Sequence, residues 1–167
     1  EQDKRIVKIT LNRPDTRNAL SGDIIEELVE YLNKADKDKN VGCIILTGAG
    51  KSFSSGGNLQ EIKDMTTKDN MSLSELEDWY RFGIQKIPRI MNSIDVPIVA
   101  AVNGHAIGAG NDLCTMCDIR IAGEDAKFSE SFLRIGIIPG DGGSWFLPKI
   151  IGLSRANEMI LTCDVLD

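Results

Sequence analysis

The chain has 167 residues, and 19 Lys plus Arg against 25 Asp plus Glu leave it with a net charge of −6. Apolar residues make up 42% and charged residues 26%, a globular balance with enough Ile, Leu and Val to offset chain entropy, which excludes a disordered chain. The acidic balance offers no broad basic footprint for nucleic acid, and no apolar run nears the ~20 residues of a membrane span.

One domain over residues 1–167 fits the length. Cys43, Cys114, Cys117 and Cys163 do not form the pattern of a disulfide framework, and no charged-then-apolar leader opens the chain. A reducing, cytoplasmic compartment is therefore the expectation.

Residues 5–11 alternate in polarity and place Val7, Ile9 and Leu11 on one face of a strand, which Arg13-Pro14-Asp15 ends. A helix follows from Ser21, an N-cap with Asp23 in the first turn. Ile24, Leu28, Leu32 and Ala35 recur along it at helical spacing. A buried strand is expected over 41–46, closed by Gly48-Ala49-Gly50. From Ser52 to Asn70 the chain is polar and glycine-containing, and part of it reads as mobile. A longer helix is predicted from Ser74 to about Asn92, with Pro88 kinking or ending it. The apolar run 96–102 reads as a strand covered on both faces. A glycine-rich turn, 103–110, leads into a short helix, a strand at 119–122 and an extended segment around Phe128. Two short helices close the chain, separated near Gly152. This alternation argues for an α/β fold, with no internal repeat visible in the sequence.

Several local signals fail on inspection. Gly50-Lys51-Ser52 would need a glycine at position 45 to be a phosphate loop, and Ile45 stands there. A dinucleotide fingerprint at Gly108-Ala109-Gly110 would need glycine at 113, which is Leu113. Cys114 and Cys117 have zinc spacing but lack two further ligands, so no metal is expected and both read as small apolar residues of a buried helix. His105, the only histidine, has no paired nucleophile and reads as structural or surface.

Two glycine-containing turns remain, Ser52 to Leu59 and Asn103 to Asp112, each after an apolar strand. If each begins a helix, its first amides lack internal partners. Two such amides converging on one oxygen would form an oxyanion hole, and small residues would let a substrate approach.

Six ordered blocks resemble the crotonase (enoyl-CoA hydratase/isomerase) superfamily. They are Leu11-Asn12-Arg13-Pro14 with Asn18-Ala19-Leu20; Ile44-Ile45-Leu46-Thr47-Gly48 with Phe53-Ser54-Ser55-Gly56-Gly57; Pro97 through Gly104; Gly108-Ala109-Gly110; Cys117-Asp118-Ile119-Arg120; and Pro139-Gly140-Asp141-Gly142-Gly143. The resemblance implies a spiral of repeated β-β-α units, a homotrimer or hexamer when full length, and an acyl-CoA substrate. CoA enters as part of that thioester, so no separate cofactor is implied. The backbone amides of Gly57 and Ala109 would form the oxyanion hole that stabilises a thioester enolate. Ser55 would meet the CoA adenine through its backbone, with Arg17 and Ala19 bordering the cofactor. Gly56, Asn58, Leu59 and Gly108 complete the substrate-binding set. The stretch from Ile62 to Ser74 resembles the family's mobile segment over the acyl pocket.

The acid–base pattern departs from the hydratases, which use two Glu. Asp112 stands at the first position, one methylene shorter; its alternative role is a first-turn carboxylate that favours the helix dipole. Phe132 stands at the second, and an aromatic ring cannot transfer a proton. Asp141 lies one residue after Gly140, where several isomerases of the family place an acid. Glu130, two residues before Phe132, would share its face on a strand. Asn58 replaces the Asp common after the first oxyanion turn. The expected catalytic residues are Asp112 and Asp141. Hydration of 2-enoyl-CoA is the leading expectation, beside a one-carboxylate double-bond isomerase and a non-catalytic thioester-binding homologue. The chain stops where the family continues into a C-terminal helical segment, so it reads as a truncated spiral core with weakened assembly and an open pocket.

Overall fold

The computed structural model describes residues 1–67 and 71–167. Its frame is a sheet in the order β1-β2-β3-β5-β7, of strands β1 (Gln2–Asp3), β2 (Ile6–Leu11), β3 (Cys43–Gly48), β5 (Ile98–Val102) and β7 (Ile119–Ala122). All neighbours are parallel except β1 and β2. A smaller parallel sheet joins β4 (Ser52–Ser54), β6 (His105–Ile107) and β8 (Lys127–Ser129). One step is repeated three times: β3–β4, β5–β6 and β7–β8 each give the first strand to the large sheet and the second to the small one. The helices α2 (Leu59–Thr67) and α5 (Ala109–Met116) follow the first two pairs, and a 3₁₀ turn, Ser131–Ile135, follows the third. The spiral of β-β-α units is thus present, although the repeat is one of topology and not of sequence.

The alternation in β2 is as expected, with Ile9 and Leu11 buried. Helix α1 (Gly22–Lys37) has Ser21 at its N-cap and buries Ile25, Leu28, Leu32 and Ala35, so Ile25 and not Ile24 takes the first core position. These residues pack with Ile44, Leu46, Ile98, Ala100 and Val102 in the main core. The run over 96–102 is less enclosed than expected. Alternate residues of β5 are buried, and Val99 and Ala101 are only half-buried.

Three expectations need correction. The polar stretch from Ser52 holds β4 and α2; only 68–70 of it lies outside the described residues, and with it part of the segment assigned over the acyl pocket. The predicted long helix is two, α3 (Leu73–Phe82) and α4 (Lys86–Met91), broken at Gly83. Pro88 lies in the first turn of α4, where a missing N–H costs no intrahelical bond. The turn 103–110 contains β6, a strand too short and mixed in polarity to show a period. The last helices, α6 (Gly143–Ile151) and α7 (Leu153–Thr162), meet at Gly152 as predicted.

Candidate active site

The site begins with two turns that the small sheet brings together. Asn18 anchors the first: its Nδ2 donates to the carbonyls of Ala49 (2.9 Å) and Ser52 (2.8 Å), and its Oδ1 accepts from the Arg13 amide. Arg17 then accepts from the Ser55 amide at 2.9 Å, and Leu20 pairs with the Gly56 carbonyl at 2.8 Å. Gly56 has φ +90°, and a Cβ there would stand 2.5 Å from the Ile107 carbonyl oxygen and 3.2 Å from the Ala109 nitrogen. Only glycine combines this backbone with so close an approach. The result is that the Gly56–Gly57 backbone lies directly against the start of α5.

Ala109 opens α5 after Gly108, and its amide precedes the first intrahelical bond. Among the described residues, neither this amide nor that of Gly57 has a hydrogen-bond acceptor. Both line a cleft of about 380 Å³. Arg17, Ser55, Gly56, Asn58, Leu59, Gly108 and Asp141 line it as well. Ala19 does not; it is buried, and its neighbour Leu20 takes the place on the wall. Trp79, Tyr80 and Ile84 add an apolar side that no motif in the sequence marks.

Asp112 is wholly buried behind this surface and does not line the cleft. Its carboxyl presses on Gly143, where a Cβ would stand 2.0 Å from its Oδ1. Burial first, then the negative charge of Asp141, then that of Glu130, push its pKa well above the usual carboxylate range. These causes favour the protonated form of Asp112, and a protonated carboxyl can donate a hydrogen bond. Burial likewise raises Asp141, and carries Glu130 to about 7. The two predicted catalytic carboxyls are thus brought together, and Glu130 joins them. The strand that would have set Glu130 on the face of Phe132 ends at Ser129. Glu130 turns inward to Asn111 while Phe132 lines the cleft beside Gly108. Tyr80 sits near the group, and burial with the charge of Asp141 pushes its hydroxyl up to about 12.

A second hollow of about 590 Å³ shares Arg17, Ser55 and Ile107 with the cleft and adds Lys51 and His105. Lys51 was visible only as part of a failed phosphate loop. A third, of about 580 Å³, is lined by Asn111, Cys114, Leu147 and Met159 and contains no predicted site residue. No group of His, Cys, Asp or Glu with metal-holding geometry is found among the described residues.

The family described as enoyl-CoA hydratase/isomerase matches residues 1–167. The enoyl-CoA hydratase, mitochondrial, of Pongo abelii is 40% identical over 156 residues, covering 93% of this chain and 51% of that protein. The short-chain-enoyl-CoA hydratase of Clostridium acetobutylicum is 36% identical over 165 residues, covering 97% of this chain and 60% of its own length. The crystal structure of enoyl-CoA hydratase from Bacillus anthracis superposes with a TM-score of 0.85 at 35% identity, covering 99% of this chain and 62% of that one. The chain spans between about half and two thirds of the relatives it matches.

Proposed function

Because the chain belongs to the enoyl-CoA hydratase/isomerase family, we propose that it hydrates 2-enoyl-CoA thioesters to 3-hydroxyacyl-CoA. The observation that carries this reading is the pair of unpartnered amides, Gly57 and Ala109, on a cleft that also holds Asp141. Both amides would donate to the thioester oxygen as it gains charge, and one such donor is worth about 2.7–4 kcal/mol in comparable sites. Asp141, as carboxylate, would take a proton from the water whose oxygen bonds to C3. The enolate electrons then capture that proton at C2, and the carboxylate is restored. Asp112 backs Asp141 from within the core. Phe132 walls the acyl chain and takes no part in proton transfer.

The CoA portion would run toward the neighbouring hollow, where Arg17 and Lys51 offer positive charge to its phosphates. Ser55 spends its amide on Arg17, so its carbonyl is the group that would meet the adenine. No cofactor beyond the CoA of the substrate is required. For the full-length protein we assign a homotrimer or hexamer, for which β7 offers an open edge with Ile119 and Ile121 exposed. A reducing, cytoplasmic setting suits the four free cysteines. No helix of the described residues is long and apolar enough to cross a membrane.

The test is incubation of the protein with crotonyl-CoA and, separately, with a 3-enoyl-CoA, products separated by chromatography. Accumulation of 3-hydroxyacyl-CoA from crotonyl-CoA supports hydration. Formation of only the 2-enoyl isomer from the 3-enoyl substrate would replace hydration by isomerisation. Binding of both thioesters without turnover of either would leave a thioester-binding protein.

A further inference from the structure

Asp112, Glu130 and Asp141 arrive from three separate places: α5, the turn after β8 and the turn before α6. All three are buried, at 0%, 0% and 3% exposure. Asp112 is the middle member, with its carboxyl in hydrogen-bonding reach of both others. Both oxygens of Asp112, Oε2 of Glu130 and Oδ1 of Asp141 have no donor among the described residues. Carboxylates only accept, whereas a carboxylic acid donates, so a proton held on Asp112 satisfies these oxygens from within the group. Asn111 Nδ2 donates to Oε1 of Glu130 and fixes it, leaving Oε2 for Asp112. Of the three, only Asp141 lines the cleft.

We propose that Glu130 is a positioning residue of the acid–base machinery, the deep end of a three-carboxyl relay that runs through Asp112 to Asp141 at the cleft. This rests on the hydration reading above. Asp112 has one proton and two acceptors. While it donates to Asp141, Glu130 holds the second negative charge of the group. When Asp141 takes a proton from water, the Asp112 proton turns to Glu130, so the newly protonated Asp141 meets an acceptor oxygen in place of a second hydrogen. Return of the proton to C2 reverses the turn. Over a full cycle the group gains one proton from water and gives one to C2, so its proton count is restored, and no bond other than O–H is made or broken within it.

The other titratable groups near the three are Tyr80 from α3 and Cys114 on α5, both neutral near pH 7 because burial pushes them up. No ion pair to any of the three carboxyls is found among the described residues. The group therefore answers chiefly to its own charges.

Glu130→Gln keeps the acceptor for Asn111 and puts an amide donor where the Asp112 proton would go. Removing a negative neighbour should lower the titration of the remaining two carboxyls. Carboxyl-carbon NMR titration and the pH profile of crotonyl-CoA hydration, run on the same protein, read this directly. The expected result is a shift of the Asp141 titration and of the acid limb of kcat to lower pH by about one unit, with KM unchanged. An Asp141 titration and an acid limb that both stay in place would overturn the proposal. If Glu130→Gln does not fold, Asp112→Asn serves: it should reduce the coupling of Asp141 and Glu130 to their direct charge interaction, and coupling of unchanged size counts against the relay. The unsubstituted protein provides a last check, since three independent carboxyls titrating in the ordinary range would end the idea. Coupled carboxyls in a protein that hydrates nothing would fail the hydration reading alone. Hydration with uncoupled carboxyls would fail the relay alone.

Discussion

The turns that present Gly57 and Ala109 and the group of Asp112, Glu130 and Asp141 are built by different means, although one cleft serves both. The amides are main-chain groups held by the small sheet, by the Gly56 approach and by the start of α5. Their chemistry does not depend on side-chain identity, although buried Ala109 leaves room only for a small residue. The carboxyls depend on side-chain identity and on α5 and two turns converging at and behind the cleft wall. The first region restricts its residues by size and backbone conformation, not by the chemistry of their side chains. The second concentrates like charges in the interior, a costly arrangement unless protons are shared. On the proposed reading, a chain can keep its backbone donors while its acid–base residues differ, and Phe132 on the cleft wall would take no part in proton transfer.

The sharpest way to break this division is at Asp141, the only carboxyl of the group on the cleft. Asp141→Asn removes the proton acceptor and leaves the amides alone. The expected loss in kcat is about 10²–10⁴-fold, the range for a general acid–base group, with KM for crotonyl-CoA little changed. A rise in KM at constant kcat would place Asp141 in binding and not in chemistry. Next in size is Ala109→Pro. Ala109 is the first helical residue, where proline is well tolerated, so α5 should survive while one donor disappears. A fall of about 10²–10³-fold in kcat is expected, with unchanged circular dichroism. An active Ala109→Pro protein would show that the thioester oxygen binds elsewhere.

How far each region could be read from the sequence follows the same division. β2 and α1 were legible because each has a periodic apolar face. β4 and β6 were not, since Ser52–Ser54 and His105–Ile107 are three-residue strands of mixed polarity, set by their neighbours in the sheet. The break between α3 and α4 was placed at Pro88, but a proline in a first turn costs little, and Gly83 is the weaker link. The glycine turns and their amides could be located from motifs alone. The carboxyl group could not, because residues 112, 130 and 141 meet only through the third β-β step and the turn into α6. A strand assumption even sent Glu130 toward Phe132, when the chain had already left the sheet at Ser129. Tyr80 falls within the helix predicted from Ser74 to about Asn92, and nothing in its spacing points to the cleft.

A smaller effect comes from the cost of burying the carboxyls. Glu130 titrates near 4.5 when unfolded and at about 7 in the fold, and Asp112 and Asp141 are raised as well. Between those values the folded protein binds more protons than the unfolded chain, so stability is fully present below about pH 4.5 and is lost as pH rises toward 7. Asp23 and Glu75 are held below their ordinary values at the surface and act only at lower pH. Denaturant unfolding should therefore show a decrease on the order of 2 kcal/mol between pH 4.5 and 7. Glu130→Gln should flatten that slope. A stability that rises over the same interval would mean that the carboxyls are paired with something the group does not contain.

The smallest effect tests whether the apolar wall belongs with either region. Ser72 closes a capping box on α3: its hydroxyl accepts from the Glu75 amide, and the Glu75 carboxylate accepts from the Ser72 amide at 2.8 Å. Ser72→Ala should cost about 1 kcal/mol of local helix stability. That helix brings Trp79 and Tyr80 to the cleft two turns later, so fraying of its start lowers the fraction of protein with a complete wall. The apparent KM should then rise by at most about fivefold while kcat stays constant, because the missing fraction binds poorly and the rest reacts normally. If kcat falls instead, Tyr80 does more than line the acyl chain. Its hydroxyl, near Asp141 and protonated throughout the physiological range, would then belong with the carboxyls. The line between wall and acid–base group would have to be redrawn at α3.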